Sequence, residues 1–174
     1  MEGSARPSRR RAASVASGVI WATLAAVAGP AQADSGEWAL ILEPAIGLYR
    51  PTGGDAQLGA GGDVAAWLGL TTAASLFVSV GGAWVSDGPP IGEALGGVAL
   101  ALDVLRTIPF LEVGLGAALV DTEVVPALRL GLGADYLLSP RLSIGGVARY
   151  RPAFGRGEED WLTFSLRLGW RGEF

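Results

Sequence analysis

A strict alternation of side chains near the C-terminal end is the feature that most constrains this chain. The even positions from 162 to 170 carry large apolar residues: Leu162, Phe164, Leu166, Leu168 and Trp170. The odd positions carry Thr163, Ser165, Arg167, Gly169 and then Arg171. Successive side chains of a β-strand point to opposite faces, so this period of two predicts a strand with one apolar and one mostly polar face.

The same alternation recurs along most of the chain. It predicts eight strands, at 38–50, 57–70, 75–86, 94–106, 110–120, 126–138, 141–152 and 160–173. Three connections are tight (71–74, 107–109 and 139–140), and four are longer and polar (51–56, 87–93, 121–125 and 152–159). Short turns at one end and longer loops at the other are typical of an all-β, antiparallel up-and-down transmembrane barrel.

Two other architectures compete with the barrel. Residues 64–86 carry no charge, which is long enough for a transmembrane helix. However, Gly residues interrupt that stretch, and a helix would expose the mid-span charges of Asp103, Arg129 and Arg167 to lipid at high cost. A water-soluble barrel would need the crowded Leu, Val and Trp face inside and a mostly Gly and Ala face outside. The pattern therefore favours a barrel whose apolar face contacts lipid.

Aromatic residues on the apolar face fall near strand ends. They are Trp38, Trp84, Tyr136, Tyr150 and Trp170, with Phe164 as a mid-strand exception. Aromatic girdles occupy both membrane–water interfaces of transmembrane barrels, so we expect these five residues to form them.

The N-terminal segment has the layout of a secretory signal. Four arginines (Arg6, Arg9, Arg10 and Arg11) precede an uncharged run over 15–29, and Ala31-Gln32-Ala33 has the form of a cleavage site. The run is short for a membrane anchor, which needs about 20 apolar residues. We therefore expect 1–33 to be a cleaved signal peptide and 34–174 to be the barrel domain.

Composition excludes several function classes. The chain has no Cys and no His, which rules out disulfides, thiolate metal sites and imidazole catalysis. There is no basic patch for nucleic acid, and no loop has the ligand density of a dedicated calcium site. The sequence thus predicts a protein that is not an enzyme and has no cofactor, no metal ion and no nucleic-acid partner.

The inward face of the predicted barrel carries charges of both signs. They are Glu43, Asp63, Asp103, Glu112, Arg129, Asp135, Arg149 and Arg167, with Arg141 and Arg171 towards the turn end. Barrel closure must pair the last strand with the first, which brings Arg167 close to Glu43. Because buried charges persist only when paired, we expect an ionic cluster that fills the lumen. A wet lumen with solvated charges is the alternative.

The C-terminal residues 161–174, together with the turn at 138–143, resemble the small bacterial outer-membrane β-barrel family of the OmpA, OmpX and OmpW transmembrane type. The resemblance implies an assembly signal, formed by Phe164, Leu166, Leu168, Trp170 and Phe174, that the barrel-assembly machinery reads. It also implies a monomer in the outer membrane of a Gram-negative cell envelope, surrounded by lipid and lipopolysaccharide. The OmpA pattern of a following peptidoglycan-binding domain is missing here.

Two roles fit such a chain. One is a non-catalytic structural or surface barrel, because an eight-stranded interior is just wide enough for side chains. The other is a narrow channel or carrier for small or apolar molecules, for which the Gly-rich strand 57–69 could distort the wall. Lipid A-modifying barrels of this type are expected to use a His, which this chain lacks. Seven acidic residues of the loops are predicted to be exposed: Asp55, Asp87, Glu93, Asp121, Glu123, Glu158 and Glu159. They either keep the loops solvated or bind divalent cations that bridge lipopolysaccharide.

Overall fold

The computed structural model describes residues 36–51, 54–86, 88–102, 106–154 and 158–173. They form eight strands: β1 Glu37–Arg50, β2 Gln57–Gly69, β3 Ala74–Val85, β4 Ile91–Ala101, β5 Thr107–Val120, β6 Glu123–Ser139, β7 Leu142–Phe154 and β8 Glu158–Glu173. Neighbours pair antiparallel in chain order, and β8 pairs with β1. The predicted all-β, closed, eight-stranded antiparallel barrel is confirmed.

The predicted signal peptide at 1–33 lies outside the described residues. Within the part of the chain that the structure describes, no helix is long and apolar enough to cross a membrane.

The two ends of the barrel differ less than the sequence suggested. At one end, the turn end, β2, β4 and β6 end and β3, β5 and β7 begin, next to the start of β1 and the end of β8. At the other, the loop end, β1, β3, β5 and β7 end and β2, β4, β6 and β8 begin. The predicted long loops at 121–125 and 152–159 are wrong, because Val120 already pairs with Glu123 and Phe154 with Glu158. Asp121, at φ 56°, adopts the left-handed conformation that this tight turn needs.

Strand β4 is displaced from its predicted limits. It begins at Ile91 instead of 94 and ends at Ala101 instead of 106. The sequence predicts Glu93 as an exposed residue of the loop 87–93, but it pairs with Ala118 in the β4–β5 ladder. Its side chain is only 8% exposed and points into the lumen. The loop assignment of Glu93 is therefore wrong.

The outer face of the barrel is a continuous apolar surface. Large aliphatic side chains on every strand are exposed there, from Leu42 on β1 to Leu168 on β8. Four of the expected girdle aromatics are also exposed on this face: Trp84, Tyr136, Tyr150 and Trp170. Trp38 is half-buried, because its indole ring lies over Gly172 so closely that a Cβ there would stand 2.6 Å from the ring.

Candidate functional site

The barrel interior holds a cluster of oppositely charged side chains, which we call the lumen cluster. The acids are Glu43 on β1, Asp63 on β2, Glu93 on β4, Glu112 on β5 and Asp135 on β6. The bases are Arg129 on β6, Arg149 and Arg151 on β7, and Arg167 on β8. Arg129, Arg149 and Arg167 are among the largest fully buried side chains of the described residues.

Arg149 lies at the centre of the lumen cluster. Its Nη1 lies 2.6 Å from Glu43 Oε2, and its Nη2 donates to Glu43 Oε1 at 2.9 Å. Its Nε donates to Glu112 Oε1, and its Nη2 also donates to Glu112 Oε2 at 3.2 Å. Asp63 Oδ2 is 3.6 Å from Nη1. One guanidinium therefore joins carboxylates from three strands through the planar donor fork that only arginine has.

Two further arginines extend the cluster towards the loop end. Arg129 and Arg151 both bind Glu93 Oε1. Arg151 Nη2 also donates to Asp63 Oδ2 at 2.5 Å, and Arg129 Nη2 lies 3.5 Å from Asp63 Oδ1. Two acids and two bases thus form a closed ring of ion pairs across the lumen.

Arg167 and Arg171 extend the cluster towards the turn end. Arg167 Nη1 lies 2.7 Å from Glu43 Oε1, and its Nε donates to Asp135 Oδ1 at 3.0 Å. Arg171 Nη2 is 3.7 Å from Asp135 Oδ2. With Arg171, five carboxylates face five guanidinium groups, so the described charges of the lumen balance.

Glycines on intervening strands make room for two of these pairs. Gly131 is the cross-strand partner of both Glu112 and Arg149, which lie on either side of it. A Cβ at Gly131 would stand 2.6 Å from Glu112 Cγ. Gly145 lies between Asp135 and Arg167 in the same manner. Each ion pair therefore passes over a residue without a side chain.

Aromatic side chains cover both ends of the lumen cluster. Towards the turn end, the guanidinium of Arg167 lies over the rings of Phe110 and Trp67, at 4.3 and 4.8 Å from their centroids. Cation–π contact stabilises a desolvated guanidinium there. Towards the loop end, Tyr49 and Trp161 pack with centroids 5.0 Å apart and bury Val85 between them and the wall.

Small cavities flank the loop-end part of the lumen cluster. One next to Glu93 and Arg151 measures about 30 Å³, and another next to Asp63 measures about 20 Å³. Each is large enough for a water molecule or two. A larger cavity of about 170 Å³ lies on the turn side of Trp67 and Phe110.

Most of the residues predicted for the lumen lie together in this cluster. They are Glu43, Asp63, Glu112, Arg129, Asp135, Arg149 and Arg167. Asp103 lies outside the described residues. The sequence analysis did not place Glu93 and Arg151 in the lumen. Arg151 lies two residues after Arg149 on β7, so the same alternation predicts an inward side chain at that position.

The other predicted sites are on or near the outer surface. Of the assembly signal, Phe164, Leu166, Leu168 and Trp170 point outward from β8, and Phe174 lies outside the described residues. Among the described residues, no group of three or more potential metal ligands has a geometry that could hold a metal ion.

Solved structures with the same architecture include several outer-membrane proteins. Neisserial surface protein A matches with a TM-score of 0.64 at 15% identity, covering 80% of this chain and 99% of that chain. The attachment invasion locus protein Ail of Yersinia pestis matches with 0.53 at 14% identity, covering 80% and 100%. The outer membrane enzyme PagL matches with 0.53 at 15% identity, covering 74% and 97%.

These likenesses concern the fold, since all three identities are low. PagL is itself an enzyme, so this fold is compatible with catalysis. The sequence matches no protein-family model and no curated protein.

Proposed function

Because the chain has the fold of the small eight-stranded outer-membrane β-barrels, we propose that it is a non-catalytic integral protein of the bacterial outer membrane. Its role is structural or surface-exposed, and its lumen is closed by the lumen cluster. The observation that carries this proposal is the division of the strands into an apolar outer face and a charged, ion-paired inner face. Such a division suits lipid outside and a water-poor lumen inside.

The height of the apolar belt supports an outer-membrane location. Along β8, eight residues separate Leu162, the partner of Tyr150, from the girdle residue Trp170. At about 3.4 Å per residue and a tilt near 40°, this distance is roughly 20 Å along the membrane normal. That value is close to the apolar band of about 25 Å found in outer-membrane barrels.

Export and assembly complete the proposal. The segment 1–33 serves as the signal peptide that directs export across the inner membrane. The outward residues of β8, with Phe174 at the C-terminus, serve as the assembly signal for the barrel-assembly machinery, and the mature protein is a monomer in lipid and lipopolysaccharide.

The absence of His and Cys from the sequence supports the non-catalytic role. A membrane lipid would reach this barrel at its outer wall. The outward residues of this wall are apolar along the middle of the described strands, without an acid–base pair there.

Two measurements test the proposal. The mature protein refolded in detergent should give a β-type circular dichroism spectrum and a shifted gel mobility when unboiled; a helical spectrum would refute the membrane barrel. In planar bilayers the wild type should conduct poorly. Stable, large single-channel steps would refute the closed lumen and favour a narrow channel instead.

A further inference from the structure

The rim of the barrel at the turn end contains an open cavity, which we call the rim notch. Its volume is about 590 Å³, and it lies where β8, β1 and the β6–β7 turn meet. Two arginines, Arg141 and Arg171, and two tryptophans, Trp38 and Trp170, line it together with Glu37. This volume falls within the range of ligand pockets in proteins.

The two guanidinium groups of the rim notch are incompletely paired. The backbone N–H of Arg171 donates to the carbonyl of Arg141 at 2.9 Å, which holds the two arginines side by side. Arg141 is exposed and makes no ion pair with a described residue. Arg171 is 24% exposed, and its contact with Asp135 is long, at 3.7 Å. Arg171 Nε has no hydrogen-bond partner among the described residues, so the notch presents two incompletely paired guanidinium groups beside the carboxylate of Glu37.

The tryptophans give the rim notch an apolar side that continues into the outer surface. Trp170 is exposed on the outer face, and its partners on the adjacent strands are Leu40 and Leu142. Trp38 lies flat over Gly172 beside it. The notch thus begins at the charged mouth of the lumen and ends at the apolar belt, where indole rings sit at the depth of lipid headgroups.

We propose that the rim notch binds the phosphodiester headgroup of a glycerophospholipid from the leaflet that surrounds the turn end. A phosphodiester offers oxygens that can accept from these incompletely paired guanidinium groups, since guanidinium forks bind phosphate oxygens in pairs. The acyl chains would extend from the indole rings over Leu142 and Leu168. This assignment rests on the proposed membrane location of the barrel.

Native mass spectrometry of the refolded full barrel tests the proposal. Detergent-solubilised protein is mixed with one of three additions: phosphatidylglycerol, diacylglycerol, which lacks the phosphate, or phosphatidylglycerol plus millimolar inorganic phosphate. The wild type should retain phosphatidylglycerol both with and without inorganic phosphate, and it should not retain diacylglycerol. Arg141→Gln should weaken retention about tenfold, as expected for the loss of a charge-assisted hydrogen bond.

The matched control is Arg106→Gln, which removes an exposed arginine from a different turn at the same end and should leave retention unchanged. Glu37→Gln should strengthen retention, because it removes the carboxylate that repels the phosphate. Equal retention of diacylglycerol, equal effects of Arg141→Gln and Arg106→Gln, or displacement of the lipid by inorganic phosphate would each overturn the lipid site.

Flotation with vesicles tests the underlying membrane barrel separately. A wild type that floats but retains no phosphatidylglycerol overturns the lipid site alone. A wild type that does not float overturns the proposed function and the lipid site together.

Discussion

Replacing Arg149 with methionine should destabilise the barrel strongly. The side chain binds Glu43 and Glu112 and lies 3.6 Å from Asp63. Its removal leaves the buried carboxylate of Glu112 with only the 3.8 Å contact to Arg167, and the lumen cluster with one carboxylate in excess. Removing one partner of a buried ion pair costs about 3–5 kcal/mol. Methionine keeps much of the volume, so the loss reports charge pairing more than a cavity.

Reversible urea unfolding in lipid vesicles measures this loss. With a denaturant dependence of about 2 kcal/mol per molar urea, the midpoint of Arg149→Met should fall by roughly 2 M. Tryptophan fluorescence and the unboiled gel band should give coincident transitions. Arg106→Gln, on an exposed turn outside the lumen cluster and the rim notch, is the control and should shift the free energy of unfolding by less than about 0.5 kcal/mol.

A second substitution separates charge from packing. Arg149→Met combined with Glu112→Gln removes one charge of each sign and restores the balance of the cluster. The double variant should recover part of the loss, with a coupling energy of about 0.5–3 kcal/mol. A free energy of unfolding of Arg149→Met within about 0.5 kcal/mol of the wild-type value would refute a dry, paired lumen and support solvated charges.

Three further predictions concern single positions. Glu93→Gln should lower the free energy of unfolding by about 2 kcal/mol or more, since Glu93 binds two arginines, whereas Asp121→Asn at the exposed turn should not. Equal effects of the two substitutions would contradict the inward position of Glu93. Gly131→Ala should cost about 1–3 kcal/mol through overpacking, while Gly92→Ala, with its nearest neighbour at 3.9 Å, should be tolerated. Deletion of Phe174 should lower outer-membrane levels and leave periplasmic precursor on cell fractionation; normal assembly would exclude an assembly signal.

Alternation predicted the faces of the strands because their period is two. Once Leu162 or Leu168 is assigned to the lipid side, Arg167 must point inward. The pairing of Arg167 with Glu43 was also foreseeable, since a closed barrel obliges β8 to lie beside β1, and the two side chains are 2.7 Å apart. Parity and closure place both side chains inside the barrel on adjacent strands. Their common level follows from the β1–β8 register, in which Leu42 pairs with Leu168.

Strand ends could not be predicted in the same way. A charged residue near the end of a strand is equally compatible with a solvated loop and with an inward position in the barrel. Glu93 has the inward position. Its inward position is stabilised by Arg129 and Arg151, which lie on β6 and β7 and so are distant in sequence. The deciding interaction is therefore tertiary.

The register also explains how ion pairs form between strands that are not neighbours. Strands two apart in a sheet are separated by about 9.5 Å, so Arg149 on β7 and Glu112 on β5 can meet only by crossing β6. Gly131 lies on β6 at that crossing. In the same way, Arg167 on β8 reaches Asp135 on β6 by crossing β7, and Gly145 lies on β7 at that point. A shift of either ladder by one residue would replace the glycine with an outward-facing position and break the pair. The arginine pairs and the glycines therefore specify the same register, which couples the ion pairs of the lumen to the correct pairing of β5, β6, β7 and β8.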